Sequence, residues 1–323
     1  MRLIRRTLVL PLTLLAAGCG GPPAPSVPQA PRVASAPASP PPPTVASNAP
    51  APAAPVPTAP SGHPCGDLEC LAFDSPRDAF EHALAGSPRV VAVGEAHAQK
   101  AAPGVESATN RFARELLPVL APRVKGIVIE LLAPDKSCEQ HEVKAVAERT
   151  KPVTEPQRDT NQSEFLALGF AAKKLGMRAE PLIPTCDELK TVLASDNDVG
   201  ALLELIANVT LRETVDFLDH QNPAYGIAIY GGLLHNDVAP KPGQEAWSFG
   251  PRLREHARES YVEIDLIVPE LVKNEPPWTE LPWFSHYDPA RPGGETLLYR
   301  SGPASFVLIF PRSEATGEPK AAP

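Results

Sequence analysis

The chain has no Gly-x-Ser-x-Gly nucleophile elbow, which argues against a serine hydrolase built on that turn. It has neither a phosphate-cradling Gly-rich loop nor a dinucleotide fingerprint, so nucleotide chemistry has no anchoring motif. Positive charge is also scarce. The formal net charge is −8, and loss of the three arginines that precede Cys19 takes it to −11. That balance argues against a nucleic-acid partner and against electrostatic adhesion to anionic lipid. The apolar run from Leu8 to Ala17 is too short to span a bilayer permanently.

What is present begins with an address. Arg2, Arg5 and Arg6 precede that apolar run, and small residues follow it, the pattern of a secretory signal peptide over residues 1–18. The string Leu15-Ala16-Ala17-Gly18-Cys19 resembles the bacterial lipoprotein signal. The resemblance implies cleavage before Cys19 and lipidation of that cysteine, and Gly20 after it implies the outer membrane, with lipid as the sole membrane attachment. Fifteen of the 41 prolines lie in residues 21–60, without apolar periodicity. Such a composition cannot offset its ordering entropy, so residues 19–62 are expected to be a disordered Pro/Ala-rich tether. Residues 63–312 suit one α/β domain, and residues 313–323 a disordered tail.

With Cys19 lipidated, Cys65, Cys70, Cys138 and Cys186 remain, an even number that suits an oxidising compartment. Cys65 and Cys70 are close enough to form a small clip, which leaves Cys138 and Cys186 as the second bridge. A zinc reading of His63, Cys65 and Cys70 has an incomplete ligand set.

Within the domain, helices and strands alternate. Ser75-Pro76 starts a helix that closes at Gly86, and Phe112, Leu116, Leu117 and Leu120 have helical spacing up to Pro122. A polar helix is expected over 139–149, a loop over 150–162, and a helix through Phe165, Leu168 and Ala172 ending at Gly176. A long helix is expected over 198–220 and a short one over 253–258. Strands are expected at the Arg89 run, the Val124 run, 178–183, 226–230, 261–268 and 305–310. This alternation predicts a largely parallel sheet with helices on both faces.

Three strand ends carry the chemistry. Arg89-Val-Val-Ala-Val-Gly94-Glu95-Ala96-His97 is a β-branched run ending in a glycine and two ionisable side chains. Tyr225-Gly-Ile-Ala-Ile-Tyr230-Gly231-Gly232-Leu-Leu-His235 repeats that design, and Val124-Lys-Gly-Ile-Val-Ile-Glu130 places a carboxylate near a third strand end. Ligands of open α/β sheets bind beyond the carboxyl ends of the strands, where these residues are expected to converge.

Gly94-Glu95-Ala96-His97, then Glu130 in Ile-Val-Ile-Glu-Leu, then Gly232-Leu-Leu-His235, resemble the signature of a superfamily containing ChaN-type haem-binding lipoproteins, TraB and Tiki proteins and erythromycin esterases. The Gly-Glu-x-His spacing is nearest the ChaN type, although Ala98 stands where that type usually has aspartate. The resemblance implies either haem or iron binding by an envelope lipoprotein, or hydrolysis of a peptide or ester.

Chemically, His97 and His235 offer neutral nitrogen, and Glu95 and Glu130 anionic oxygen, a set that suits zinc or manganese with open positions for water. Such an ion would activate water for a metal-dependent hydrolase. Without metal, His97 is a general base oriented by Glu95 or Glu130. Haem requires an apolar slot with an axial His or Tyr, for which Tyr225, Tyr230 and Tyr261 are available. Against these stands the plain structural reading, in which Glu130 pairs with an arginine such as Arg111 and Asn236-Asp237 form a turn. His63, His82, His141, His220, His256 and His286 are expected at the surface, and Trp278 and Trp283 in a packed C-terminal extension or a lid. A small-molecule or peptide ligand is the expected partner.

Overall fold

The computed structural model describes residues 60–313 apart from 197, 223 and 292. The leader, Cys19, the tether up to residue 59 and the tail from residue 314 lie outside the described residues. Among the described residues no helix is long and apolar enough to cross a membrane.

A central parallel array follows from the β-branched runs. Strands β3 (Val90–Glu95), β4 (Val124–Leu132), β5 (Arg178–Leu182), β6 (Gly226–Gly232), β7 (Tyr261–Ile267) and β9 (Ser305–Ile309) run parallel in the order β9-β7-β3-β6-β4-β5. Three antiparallel strands extend the β9 edge: β1 (His63–Gly66), β2 (Cys70–Phe73) and β8 (Thr296–Gly302). The sheet is thus mixed α/β and mostly parallel, as its alternation predicts. The antiparallel edge was not legible, because β1 and β2 have four residues each and β8 sits beyond a Pro- and Trp-rich stretch that carries no period.

Strand parity sorts the core into two layers. Val91, Val93, Ile127, Ile129 and Ile264 face α1 (Pro76–Ala83), the helical run 108–120 and α6 (Asn161–Lys174). Val90, Ala92, Val128, Ile227 and Ile229 face α7 (Cys186–Ala194), α8 (Asp198–His220) and α10 (Gly250–His256). Each fully buried Leu, Ile or Val in these layers contributes roughly 1.5–3 kcal/mol relative to exposure.

Local signals explain most helix boundaries. Ser75 caps α1 by accepting from the Asp78 amide, with Pro76 in the first turn. The run from Ala108 is α2 (Ala108–Arg111), a π turn (Phe112–Leu116) and α3 (Leu117–Leu120). Pro118 lies where an amide donor would otherwise continue the α pattern. The expected loop at 150–162 is partly helical: after α4 (Gln140–Arg149), residues Lys151–Thr154 form α5, and α6 starts at Asn161. Helix α7 was missed, although Thr185 and Glu188 make a full capping box at its start. Disulfides join Cys65 to Cys70 and Cys138 to Cys186. Trp283 is 2 % exposed and packs with Leu297, Tyr299 and Ile309 on the antiparallel edge, so it is a core residue there and not a lid.

Candidate active site

Register brings the chemistry together. Gly94 pairs with Gly231 and Glu95 with Gly232, so β3 and β6 end side by side, with β4 next to β6. His235 follows on α9 (Leu233–Asn236), a one-turn helix that the sequence reading took as part of a glycine turn. Gly231 is glycine because Glu130 crosses it: an added Cβ would lie within 2.9 Å of the Glu130 Cβ.

Glu95, only 2 % exposed, holds His97 from behind. Its Oε1 lies 3.0 Å from His97 Nδ1, and its Oε2 accepts from Thr109 Oγ1 at 2.8 Å and from the Tyr230 hydroxyl at 2.7 Å. Since a carboxylate accepts, His97 Nδ1 carries the proton and Nε2 is directed outward. His235 is oriented in the same way, with Nδ1 2.8 Å from the Trp247 carbonyl oxygen. Both Nε2 atoms face one atom, Glu130 Oε1, at 3.7 Å from His97 and 3.9 Å from His235. Glu130 Oε2 accepts the Gly232 amide at 2.6 Å. The four residues proposed from the strand ends therefore form one connected cluster, with Glu95 behind His97 and the other three converging at Glu130 Oε1. The His97 loop is pinned: Gln99 Nε2 donates to the His97 carbonyl, and Arg158 N and Asn161 Nδ2 donate to that of Ala98. Phe165 packs its ring 5.8 Å from the His97 ring.

The charges follow from this packing. Burial would lower the His97 pKa, but Glu130 and the bonded Glu95 overcome it and raise the value from 6.5 to about 10. At 3.7 Å the Glu130 contact is an ion pair more than a hydrogen bond. Burial would raise Glu130, yet the charge of His235, the contact with His97 and the Gly232 amide bring it from 4.5 to about 2. Burial, and then the charge of Glu95, push the Tyr230 phenol well above 10, so it remains a donor. At neutral pH the centre holds an imidazolium at His97 beside the Glu130 carboxylate. Side chains of His97 and Glu130 are 18 % and 12 % exposed, against 2 % for Glu95 and 5 % for His235, so solvent meets the site at the first two. A cavity of about 10 Å³ touches Glu130, Gly231, Gly232 and His235. That is room for about one water.

Among the described residues no group of three or more His, Cys, Asp or Glu is arranged to hold a metal ion. In this arrangement Glu130 Oε1 is the ionic partner that both Nε2 atoms face. For haem, the Tyr230 hydroxyl is spent on Glu95 and that of Tyr261 on the Asn236 carbonyl, while Tyr225 is exposed. The arginine pairing considered for Glu130 does not occur: Arg111 donates to the Pro311 carbonyl and Ser313 and lies near Glu106 and Glu270. Asn236 is also more than a turn residue, being buried and bonded to Asp265 at 3.1 Å. Thr109, Phe165 and the Trp247 carbonyl were missed. Tyr230 was considered only as a haem ligand, although its place two residues before Gly232 puts it on the same strand face.

No protein-family model matches the chain, and no curated protein matches it. Solved structures align with it only at low similarity. The type III effector HopBA1 aligns at TM-score 0.37 and 10 % identity, covering 80 % of this chain and 100 % of its own. A Bacillus cereus protein aligns at 0.34 and 11 %, covering 61 % and 71 %. A mutant erythromycin esterase EreC in its open conformation aligns at 0.34 and 10 %, covering 72 % and 92 %. Likeness at this level assigns no chemistry.

Proposed function

We propose that this domain is a hydrolase that cleaves a carboxylic ester of a small molecule or peptide by acid–base chemistry shared between His97 and His235. One observation carries the reading: two imidazoles, each with Nδ1 tied to an acceptor, direct both Nε2 atoms at the same carboxylate oxygen. Mere packing gains little from burying such a cluster, because desolvation of the charges consumes much of the pairing energy. His235, with its proton fixed on Nδ1, takes a proton from water at Nε2, and the water oxygen adds to the ester carbon. The His97 imidazolium faces the developing negative oxygen and then supplies the proton that leaves with the alcohol. Glu130 stabilises both imidazoles while they carry charge, and Glu95, bonded to Nδ1, orients His97 so that Nε2 faces the site. The proton gained by His235 then passes to His97 through solvent, which restores both side chains, and the balance is ester and water going to acid and alcohol.

Hydrolysis of a panel of p-nitrophenyl esters tests the reading. Wild-type turnover is expected to fall by 10²-fold or more in both His97→Gln and His235→Gln, and to survive dialysis against EDTA. Equal rates in wild type and both variants would overturn it, and loss of rate on EDTA dialysis restored by zinc would return the metal-dependent alternative. The two disulfides support an exported location. We place the domain in the cell envelope, tethered through lipid on Cys19. Cys19→Ser should move the protein out of the detergent phase.

A further inference from the structure

The proposed hydrolytic centre leaves the carboxyl groups of β7 unused, yet they hold the segment that carries His235. Tyr261, Glu263 and Asp265 alternate along β7 and so face the same side of the sheet. All three reach the stretch after β6. The Tyr261 hydroxyl donates to the Asn236 carbonyl at 2.7 Å, and Glu263 Oε2 accepts the Val238 amide at 2.7 Å. Asp265 Oδ1 accepts from Asn236 Nδ2 at 3.1 Å. That bond lies directly over β3: a Cβ on Gly94 would come within 2.6 Å of Asp265 Oδ1 and 2.7 Å of both Asn236 Nδ2 and the Leu233 Cα. Gly94 thus seats α9 on the strand end that leads to Glu95 and His97.

One atom in this arrangement is unsatisfied. Asn236 is 2 % exposed, its Nδ2 is spent on Asp265, and its Oδ1 is buried with no hydrogen-bond partner. A buried acceptor without a donor is costly. An ionised Asp265 has no donor to give, whereas a neutral carboxyl carries one O–H. The surroundings favour the neutral form. Asp237 and Glu263 face Asp265 with the same sign, and burial keeps the nearby Tyr261 phenol protonated. Strand β3 meets Asp265 with Gly94 and β9 meets it with Val307. The basic residues of α10 turn elsewhere, Arg252 to Asn208, Arg254 to Glu259 and His256 to Asp219. Burial first, and then Asp237, lift the Asp265 carboxyl to about 7 against the Asn236 bond.

We propose that Asp265 stands as the neutral acid and donates to Asn236 Oδ1, which makes the two residues a lock that positions His235 through α9. Acid and amide meet as two planar groups, with N–H to oxygen in one direction and O–H to oxygen in the other. Both are positioning residues, since neither touches the reacting atoms. The effect of the lock on turnover rests on the hydrolase reading above, whereas the lock itself stands without it. Ionisation of Asp265 removes the O–H bond and sets a negative charge against Asn236 Oδ1, so α9 is released as pH rises.

The test compares the full chain with Asp265→Asn and Asp265→Ala across neutral pH. Asp265→Asn keeps a donor and an acceptor toward Asn236 at every pH and so mimics the neutral acid. The Asp265 carboxyl ¹³C resonance, identified by its loss in Asp265→Asn, should titrate at about 7. The Phe249 amide, which donates to the His235 carbonyl at 2.9 Å, reports on α9 by hydrogen exchange. Corrected for intrinsic exchange, its protection should fall roughly tenfold from about pH 6 to about pH 8.5 in wild type, and by no more than about twofold in Asp265→Asn. For p-nitrophenyl esters kcat should follow the same pattern with KM unchanged, and Asp265→Ala should lower kcat roughly tenfold already at about pH 6. A carboxyl midpoint below about 5 would overturn the proposal. So would Phe249 protection indifferent to pH in wild type, or a wild-type kcat in Asp265→Ala. If no ester is turned over, the hydrolase reading fails, and the carboxyl and exchange readouts still decide the lock.

Discussion

Two buried ionisable clusters flank β3, and they solve the same problem in opposite ways. On one side, Glu95, His97, Glu130 and His235 mix signs, so burial is outweighed: His97 rises to about 10 and Glu130 falls to about 2. On the other, Asp237, Glu263 and Asp265 lie together, and among the described residues no cation pairs with them. Burial, reinforced by Asp237, lifts Asp265 to about 7 despite the hydrogen bond from Asn236. Burial and the charges of Asp265 and Asp237 push Glu263 well above 4.5, against bonds from Val238 N and Ser305. The first cluster stores charge at neutral pH and the second sheds it. The difference is one of composition and not of depth, because both contain carboxylates held at 5 % exposure or less. A buried carboxylate is kept ionised by a partner, and the site for chemistry is where the partners are.

The largest effect should come from breaking the charge balance of the first cluster. Glu130→Gln leaves the His97 imidazolium with Glu95 as its sole carboxylate and deprives His235 of its acidic neighbour. Ester turnover should drop by 10²-fold or more, and urea denaturation should show a loss of about 3 kcal/mol, the usual scale for orphaning one member of a buried pair. Intact turnover together with intact stability would make the cluster inert.

Next comes the wedge between the clusters. An added Cβ at Gly94 would lie 2.6 Å from Asp265 Oδ1, 2.7 Å from Asn236 Nδ2 and 2.7 Å from the Leu233 Cα. The last of these is backbone and cannot rotate aside. Gly94→Ala should therefore cost about 2–3 kcal/mol and displace α9, lowering turnover along with stability. A melting temperature within a degree of wild type would show that the clusters are not packed through this point.

Acid–base titration separates the clusters at smaller amplitude. Glu130 has a lowered folded pKa, so its stabilisation is present above 4.5 and is lost as pH falls through about 2. His97 has a raised one, so its stabilisation is complete below 6.5 and is lost as pH rises through about 10. Asp265 binds its proton more tightly folded than unfolded between 3.8 and about 7, so stability falls as pH rises across that window. The melting temperature should peak near pH 4–5. Asp265→Asn keeps an acceptor for Asn236, and should flatten the decline between 4 and 7 while leaving the fall above 7. At pH 8 the variant should be more stable by ~2 kcal/mol. An unchanged profile would remove Asp265 from the account.

Much of the first cluster was legible because parallel strands place their ends together, so Gly94-Glu95-x-His97, Glu130 and His235 converge once the period-2 runs are recognised. The second cluster was not. Glu263 and Asp265 sit inside a strand whose alternation looks like an ordinary half-exposed edge, and only the pairing of β7 between β3 and β9 buries that face. Likewise the helix that carries His235 is one turn long, below any periodic signal. The donors to Glu95 were hidden for a different reason. Thr109 reaches it from a helix fourteen residues on, and such a contact depends on tertiary packing that no local pattern encodes.

The smallest effect sharpens the comparison most, because it perturbs one cluster without touching its charges. Tyr230→Phe removes one of two hydroxyl donors to Glu95 Oε2, and Thr109 remains as the other. The ring contacts survive, since Phe112 and Phe165 meet the Tyr230 ring, with centroids 4.6 and 5.9 Å away. Stability should fall by about 1 kcal/mol, the net worth of one such bond when its acceptor keeps a second partner. A carboxylate that loses a donor holds its remaining proton donor more tightly, so the His97 pKa should move up by a few tenths, read from its ring proton by NMR. The titration of Asp265, across β3, should not move. If His97 titrates unchanged while stability falls, the hydroxyl stabilises the fold without tuning His97 and Glu95 is positioned by Thr109 alone. If both clusters shift together, they form one electrostatic unit, and their opposite responses to burial have a common origin.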